Sequence, residues 1–304
     1  MRFRVDLGYQ QIRHLFSQTA RWAWLQSAPA VFVIPDSLQA RNQLIPGRYT
    51  QRMQDFLNSA HAIGLGFSTD ISTARARLRP ARGWQFEARA SNRTRNGLKP
   101  HALDSAFSTA LENPEPIDQH MPDVDLIADC HRARMAFQAS GGTSSFGNDI
   151  STLRVDSPKR ITSVNGGDGP AQGALDLYPN NKVVRGLLAL AYVLPRQTSF
   201  TGTLGLSHGT QDDPFLPFTS NTALSQSSID SLPARSRSAS NDQLTGDVRL
   251  RTNLVEKLDG TLRFHYSDYR NGTKQPNIIG QSPYDVSWQR YLEMPNHVFT
   301  FKQW

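Results

Sequence analysis

Gln243-Leu-Thr-Gly-Asp-Val-Arg-Leu-Arg251, followed by Glu256-Lys-Leu-Asp-Gly260 and Thr261-Leu-Arg-Phe-His-Tyr-Ser267, is the stretch that decides the fold. Leu244, Gly246, Val248 and Leu250 alternate with Gln243, Thr245, Asp247, Arg249 and Arg251. After the turn, Leu262, Phe264 and Tyr266 alternate with Thr261, Arg263, His265 and Ser267. A period of two on both arms of a tight turn is a β-hairpin with one apolar and one charged face. Each arm has about the 9–11 residues that a tilted strand needs to cross a bilayer.

The same alternation recurs elsewhere. Phe3, Val5, Leu7 and Tyr9 alternate with Arg2, Arg4, Asp6 and Gln10. Ala74, Ala76 and Leu78 oppose Arg75, Arg77 and Arg79; Pro80-Ala-Arg-Gly83 turns the chain, and Trp84, Phe86, Ala88 and Ala90 oppose Gln85, Glu87, Arg89 and Ser91. Further strands are expected near 124–131, 133–141 and 150–156, where Met135, Phe137 and Ala139 keep the period of two. The segment 183–194 is apolar on both faces and does not reveal its orientation, while Phe200, Gly202, Leu204 and Leu206 alternate again. Between these strands the sequence predicts long loops: 13–70 (with a short helix near 50–60), 95–122 (where Pro114 and Pro116 bar a central strand), 159–181, 210–242 and 271–297. Short turns alternating with long loops, over roughly ten strands, are the pattern of an antiparallel transmembrane β-barrel.

Composition agrees with this reading without deciding it. Only 38% of the 304 residues are hydrophobic and the mean hydropathy is −0.49, as expected where half of every strand faces a wet lumen. The longest apolar runs, Gly186–Leu194 and Ala28–Ile34, fall well short of the ~18–20 residues of a membrane helix. Met1-Arg-Phe-Arg-Val-Asp6 reads directly as strand, so the sequence shows no signal peptide. The net charge is +7, from 33 basic and 26 acidic residues. Most of that charge is read as lumen and loop polarity. No aromatic and basic stripe on a recognisable module points to nucleic acid. Cys130 is the single cysteine, which excludes an internal disulfide.

A resemblance rests on a longer block. Leu175-Asp-Leu-Tyr-Pro-Asn-Asn-Lys182 leads into Leu187-Leu-Ala-Leu-Ala-Tyr-Val-Leu-Pro-Arg-Gln-Thr198, then through Gly202-Thr-Leu-Gly-Leu-Ser-His-Gly209 to Thr210-Gln-Asp-Asp-Pro-Phe-Leu-Pro-Phe-Thr219. This block, together with Asn113-Pro-Glu-Pro-Ile-Asp118 and Asn271-Gly-Thr273, resembles the MtrB/PioB family of decahaem-associated outer-membrane proteins. The resemblance implies a bacterial outer-membrane barrel that sheathes a periplasmic decahaem c-type cytochrome, with an outer-surface multihaem cytochrome as a second partner. Electrons would cross the membrane to or from extracellular metal. The haem would be carried by the partner, and the barrel would bind no cofactor or metal and perform no bond chemistry. Members of the family are longer and carry a signal peptide, so residues 1–304 are expected to be one domain forming part of a larger barrel. Geometry agrees: at ~4.8 Å between strands and a tilt near 40°, ten strands close at a radius of about 10 Å, too narrow for a haem rod with its protein coat.

The lumen candidates are Arg75, Arg77, Arg79, Arg89, Arg249, Arg251, Arg263 and His265, all on the polar faces of their strands. Guanidinium forks suit carboxylates and propionates. Ordinary lumen polarity explains the same residues. Two rival functions remain: a diffusion porin or receptor barrel, and a serine hydrolase using Ser207 of Gly205-Leu-Ser-His-Gly209, which matches the nucleophile-elbow spacing. Downstream of Ser207 stands Gln211-Asp-Asp-Pro214, which does not favour the required helix. Cys130-His131 ends like a haem-attachment motif, but Ile127 stands where the first cysteine belongs. Asn165-Gly-Gly-Asp-Gly169 reads as a flexible loop rather than a phosphate or calcium cradle.

Overall fold

The computed structural model describes residues 1–104, 110–165, 169–195, 197–225, 231–255, 258–273, 280–281, 289–290 and 300–303. In chain order its elements are β1 (Arg2–Ala20), β2 (Leu25–Ala28), β3 (Val31–Val33), α1 (Asp36–Leu44), a 3₁₀ turn at Pro46–Arg48, α2 (Tyr49–Ser59), β4 (Ile63–Arg79), β5 (Trp84–Asp104), β6 (Ala110–Arg132), β7 (Met135–Asn148), β8 (Thr152–Asp156), β9 (Gln172–Asp176), β10 (Asn181–Leu194), β11 (Thr198–Gln211), β12 (Ala239–Val255), β13 (Leu258–Asn271), β14 (Gly280–Gln281), β15 (Gln289–Arg290) and β16 (Phe301–Gln303). Among the described residues, no helix is long and apolar enough to cross a membrane.

Ten strands form one antiparallel sheet in the order β1-β4-β5-β6-β7-β10-β11-β12-β13-β16. Nearly every neighbour in the sheet is also the next long strand in sequence, which is the up-and-down connectivity of a barrel wall. The turns at one end are short. At Pro80–Gly83 the chain needs Gly83 at φ 86°, and a Cβ there would collide with the His131 carbonyl oxygen. The turn of the 243–270 hairpin includes Glu256 and Lys257, which lie outside the described residues, but its arms pair in register from Asn241↔Asn271 to Asn253↔Asp259.

Several sequence expectations need correction. Residues 13–70 are not mostly loop: β1 runs on to Ala20 and pairs with β4 back to Ile63, with register shifts after Leu15 and Ser17. Polar residues such as Gln10, Gln11 and His14 hide the alternation there. Residues 95–122 are strand as well, because β5 and β6 pair from Trp84↔Cys130 out to Asp104↔Ala110. Pro114 and Pro116 are tolerated because β6 pairs with β7 only from Gln119 onward, so at these prolines β6 has no neighbour on its other side. The 150–156 strand is real but belongs to a second sheet, and 159–181 contains β9. The sheet still has ten strands, since β16 takes the place assigned to 150–156. Most of 271–297 lies outside the described residues.

The second sheet, β2-β3-β8-β9, joins two long connections at the same end. β3 and β8 pair in parallel through Val31↔Arg154 and Phe32↔Val155. With α1 and α2 this sheet forms a cap around Ala23, Trp24, Phe32, Ile34, Met53, Leu153 and Val155. Leu153 is wholly buried, and Leu98 from the extended part of β5 packs on the same core. The cap is thus the place where this chain has a core of soluble type. The ten-stranded wall instead leaves Phe3, Leu7, Leu188, Leu204, Leu262 and Phe264 exposed.

Candidate functional site

Directly opposed residues of an antiparallel pair point to the same side of the sheet. One hydrogen-bonded row can therefore be followed across nine strands. Phe3, Leu78, Phe86, Ala128, Ala139, Leu188, Leu204, Gly246 and Tyr266 are successive partners. The next row on the same face reads Val5, Ala76, Ala88, Leu126, Gly141, Gly186, Leu206 and Leu244, and then ends on Asp268. Towards the short turns, Cys130, Phe137, Leu190, Gly202, Val248 and Phe264 continue it. A face this apolar and this exposed suits lipid. Its long-loop margin lies beyond Leu7 on β1 but before Asp268 on β13, so the apolar band crosses the ladder obliquely. Tilted strands produce that displacement.

The other face is charged, and here the structure places each lumen candidate. On β4 and β5, Arg75, Arg77 and Arg89 converge on Glu87, whose side chain is 1% exposed. Arg75 donates to both Glu87 oxygens at 2.5 and 2.8 Å, and Arg89 donates to the first of them. Arg77 also reaches Asp6 on β1 at 3.2 Å. Arg79 donates only to the amide oxygen of Gln85, at 2.8 Å. On β12 and β13, Arg263 and His265 lie 2.6 and 3.5 Å from Asp247. Arg251 stands a loose 3.9 Å from Asp259, and Arg249 has no partner among the described residues. The candidates thus form two groups, separated in the sheet by β6, β7, β10 and β11.

Sequence reasoning missed the acidic half of this surface. Glu87, Asp6 and Asp247 organise the arginines. Arg185, hidden in the apolar run of β10, is clamped by Asp123 and Asp125 of β6 at 2.8–3.0 Å. The acidic alternation of Asp123, Asp125 and Asp129 in the strand expected near 124–131 was the available signal, but the cation that meets it is set by the register of β6, β7 and β10. Each lumen carboxylate named is held by a cation of the same wall. Arg2 and Arg249 have no partner among the described residues, and Arg79 has only an amide. The surplus charge facing the lumen is therefore positive.

The remaining motifs do not assemble. Ser207 lies within uninterrupted β11, opposite Arg185 and Gln243. Its neighbour His208 bonds Asp242 at 2.6 Å on the opposite face of the sheet, so serine, histidine and aspartate do not meet. Cys130 is buried on the apolar face, in the row of Trp84 and Phe137, a position that does not suit covalent haem. Residues 166–168 of the Asn165–Gly169 stretch lie outside the described residues.

No curated protein matches the chain. A family model described as "Putative outer membrane beta-barrel porin, MtrB/PioB" matches residues 2–294. Given that match across nearly all of its length, and a ten-stranded antiparallel wall with one lipid-compatible and one charged face, this chain belongs to the MtrB/PioB family of outer-membrane β-barrel porins.

Proposed function

We propose that this wall sheathes and positions a multihaem c-type cytochrome in the bacterial outer membrane and itself performs no bond chemistry. The observation that carries the proposal is the unbalanced lumen charge: Asp6, Glu87, Asp123, Asp125 and Asp247 are already held by arginines of the wall, while Arg2, Arg79 and Arg249 retain free donor capacity. A guest rich in surface carboxylates or haem propionates complements that surface, because guanidinium pairs bidentately with carboxylate. The haems, and with them the electron path from one side of the membrane to the other, belong to the partner. The barrel contributes a low-dielectric wall whose backbone groups are satisfied strand to strand, as lipid demands.

The test is charge reversal at the lumen. Arg249→Glu combined with Arg263→Glu should reduce co-purification of a haem-absorbing partner and make the residual complex more sensitive to salt. Undiminished recovery of haem with the double variant would refute the proposal. The second reading is a diffusion porin, which the same surplus would make anion-preferring. Single-channel conductance with anion selectivity in protein free of haem absorbance would favour it.

A further inference from the structure

We propose that the cap holds a binding site for a phosphate-bearing polar ligand, in the cavity between α1, α2 and the segment that follows β8. The proposal is independent of the cytochrome reading. The cavity measures about 1150 Å³ and is lined by Arg48, Lys159 and Arg160, with Gln43, Thr50 and Gln54. No carboxylate lines it among the described residues. The Nε of Arg160 is buried without a hydrogen-bond partner. A buried, unpaired guanidinium donor is costly unless a ligand or ion completes it.

Lys159 and Arg160 sit on a segment whose backbone is held still. Gln39 of α1 donates to the carbonyls of Ser157 and Arg160 at 2.8 and 2.9 Å. Asn42 donates to the Pro158 carbonyl at 2.8 Å, and the Gln43 side-chain oxygen accepts from the backbone N–H groups of Ile161 and Thr162 at 3.0 and 3.2 Å. Gln39 and Asn42 are both buried. Five side-chain-to-backbone bonds thus fix the backbone at residues 157–162. Arg52 beside it is held by neutral acceptors, the Asn42 side chain at 2.7 Å and the Ile45 carbonyl. Solvated surface arginines need no such scaffold, whereas an anion site does. Guanidinium forks recognise phosphate bidentately, and the Gln54 side-chain oxygen and the Thr50 hydroxyl can receive the hydroxyls of an attached sugar. The volume lies slightly above the ~300–1,000 Å³ of ordinary small-ligand clefts, enough for a phosphorylated disaccharide. At the long-loop end of a barrel, such a group could come from the outer-leaflet lipid headgroups or from a free phosphate compound.

The experiment uses the purified full chain in lipid nanodiscs at 0.15 M salt. One arm titrates inorganic pyrophosphate calorimetrically. The other compares nanodiscs containing diphosphorylated lipid A with nanodiscs containing its dephosphorylated form. Saturable binding of about one equivalent is expected in at least one arm. It should weaken about tenfold in Arg160→Gln and in Arg48→Gln, less in Arg160→Lys, and not at all in the lumen variant Arg249→Gln. Binding of pyrophosphate identifies a free ligand as sufficient, while binding of the phosphorylated lipid alone identifies a headgroup. Emission from Trp24, buried in the cap core and isolated by replacing Trp22, Trp84, Trp288 and Trp304 with Phe in every protein compared, verifies that each variant remains folded. Absence of saturable binding in both arms overturns the proposal, as does an equal loss in Arg249→Gln.

Discussion

Leu187 and Leu188 are adjacent leucines on β10, 39% and 47% exposed, on opposite faces of the wall. Their replacement by arginine tests which face meets lipid. Leu188 shares its row with Ala139 and Leu204, while Leu187 lies between Ser140 and Gly205. On β10 the outward residues run from Val184 to Leu194. Ten steps at ~3.3 Å span ~33 Å along the strand and ~25 Å of height at a tilt near 40°. Leu188 lies four steps from the long-loop margin, within ~3 Å of the middle of that band. An arginine at the midplane of a barrel's lipid face costs ~2–4 kcal/mol, whereas a substitution on a wet surface stays within ~0.5 kcal/mol. Equilibrium unfolding from phosphatidylcholine vesicles in guanidinium, followed by tryptophan emission, should therefore place Leu188→Arg at least ~1.5 kcal/mol below Leu187→Arg. Equal losses, or a greater loss in Leu187→Arg, would refute the assignment of faces on which the lumen argument depends.

Other perturbations separate the wall from the cap. Glu87→Gln removes the carboxylate that three part-exposed guanidiniums surround and should cost ~1–2 kcal/mol in the same assay; a neutral result would mean that the cluster contributes no net stability. Leu153→Ala, at a wholly buried cap position, should cost ~2–5 kcal/mol locally, seen in a background whose other four tryptophans are Phe as early loss of Trp24 emission while the far-ultraviolet strand signal persists. Burial and the neighbouring Asp213 carboxylate hold Asp176, in the cap, above its ordinary carboxylate value. Its ionised form therefore opposes the fold at neutral pH, and that opposition fades as pH falls through the raised value towards 3.8. Asp176→Asn should raise the melting temperature of the cap at pH 7 and flatten its rise on acidification, and a lowered melting temperature would contradict this sign.

Strand periodicity, turn chemistry and the alternation of apolar and charged faces are local properties, and the residues alone determined them: β4, β5, β12 and β13 could be placed from one chain segment at a time. The family likeness was legible in the block 175–219 for the same reason. What the tertiary structure alone decided depends on partners distant in sequence. The faces of β10 became distinct only through its pairing with β7 and β11, because a segment apolar on both sides carries no orientation of its own. The prolines of β6 became acceptable only where its second edge was unpaired. Glu87 gathered Arg75, Arg77 and Arg89, and Arg185 met Asp123 and Asp125, because the register sets which charges stand within reach. The cap core joins Trp24 and Phe32 to Leu153 and Val155 across more than 100 residues of chain, a burial that no local pattern encodes.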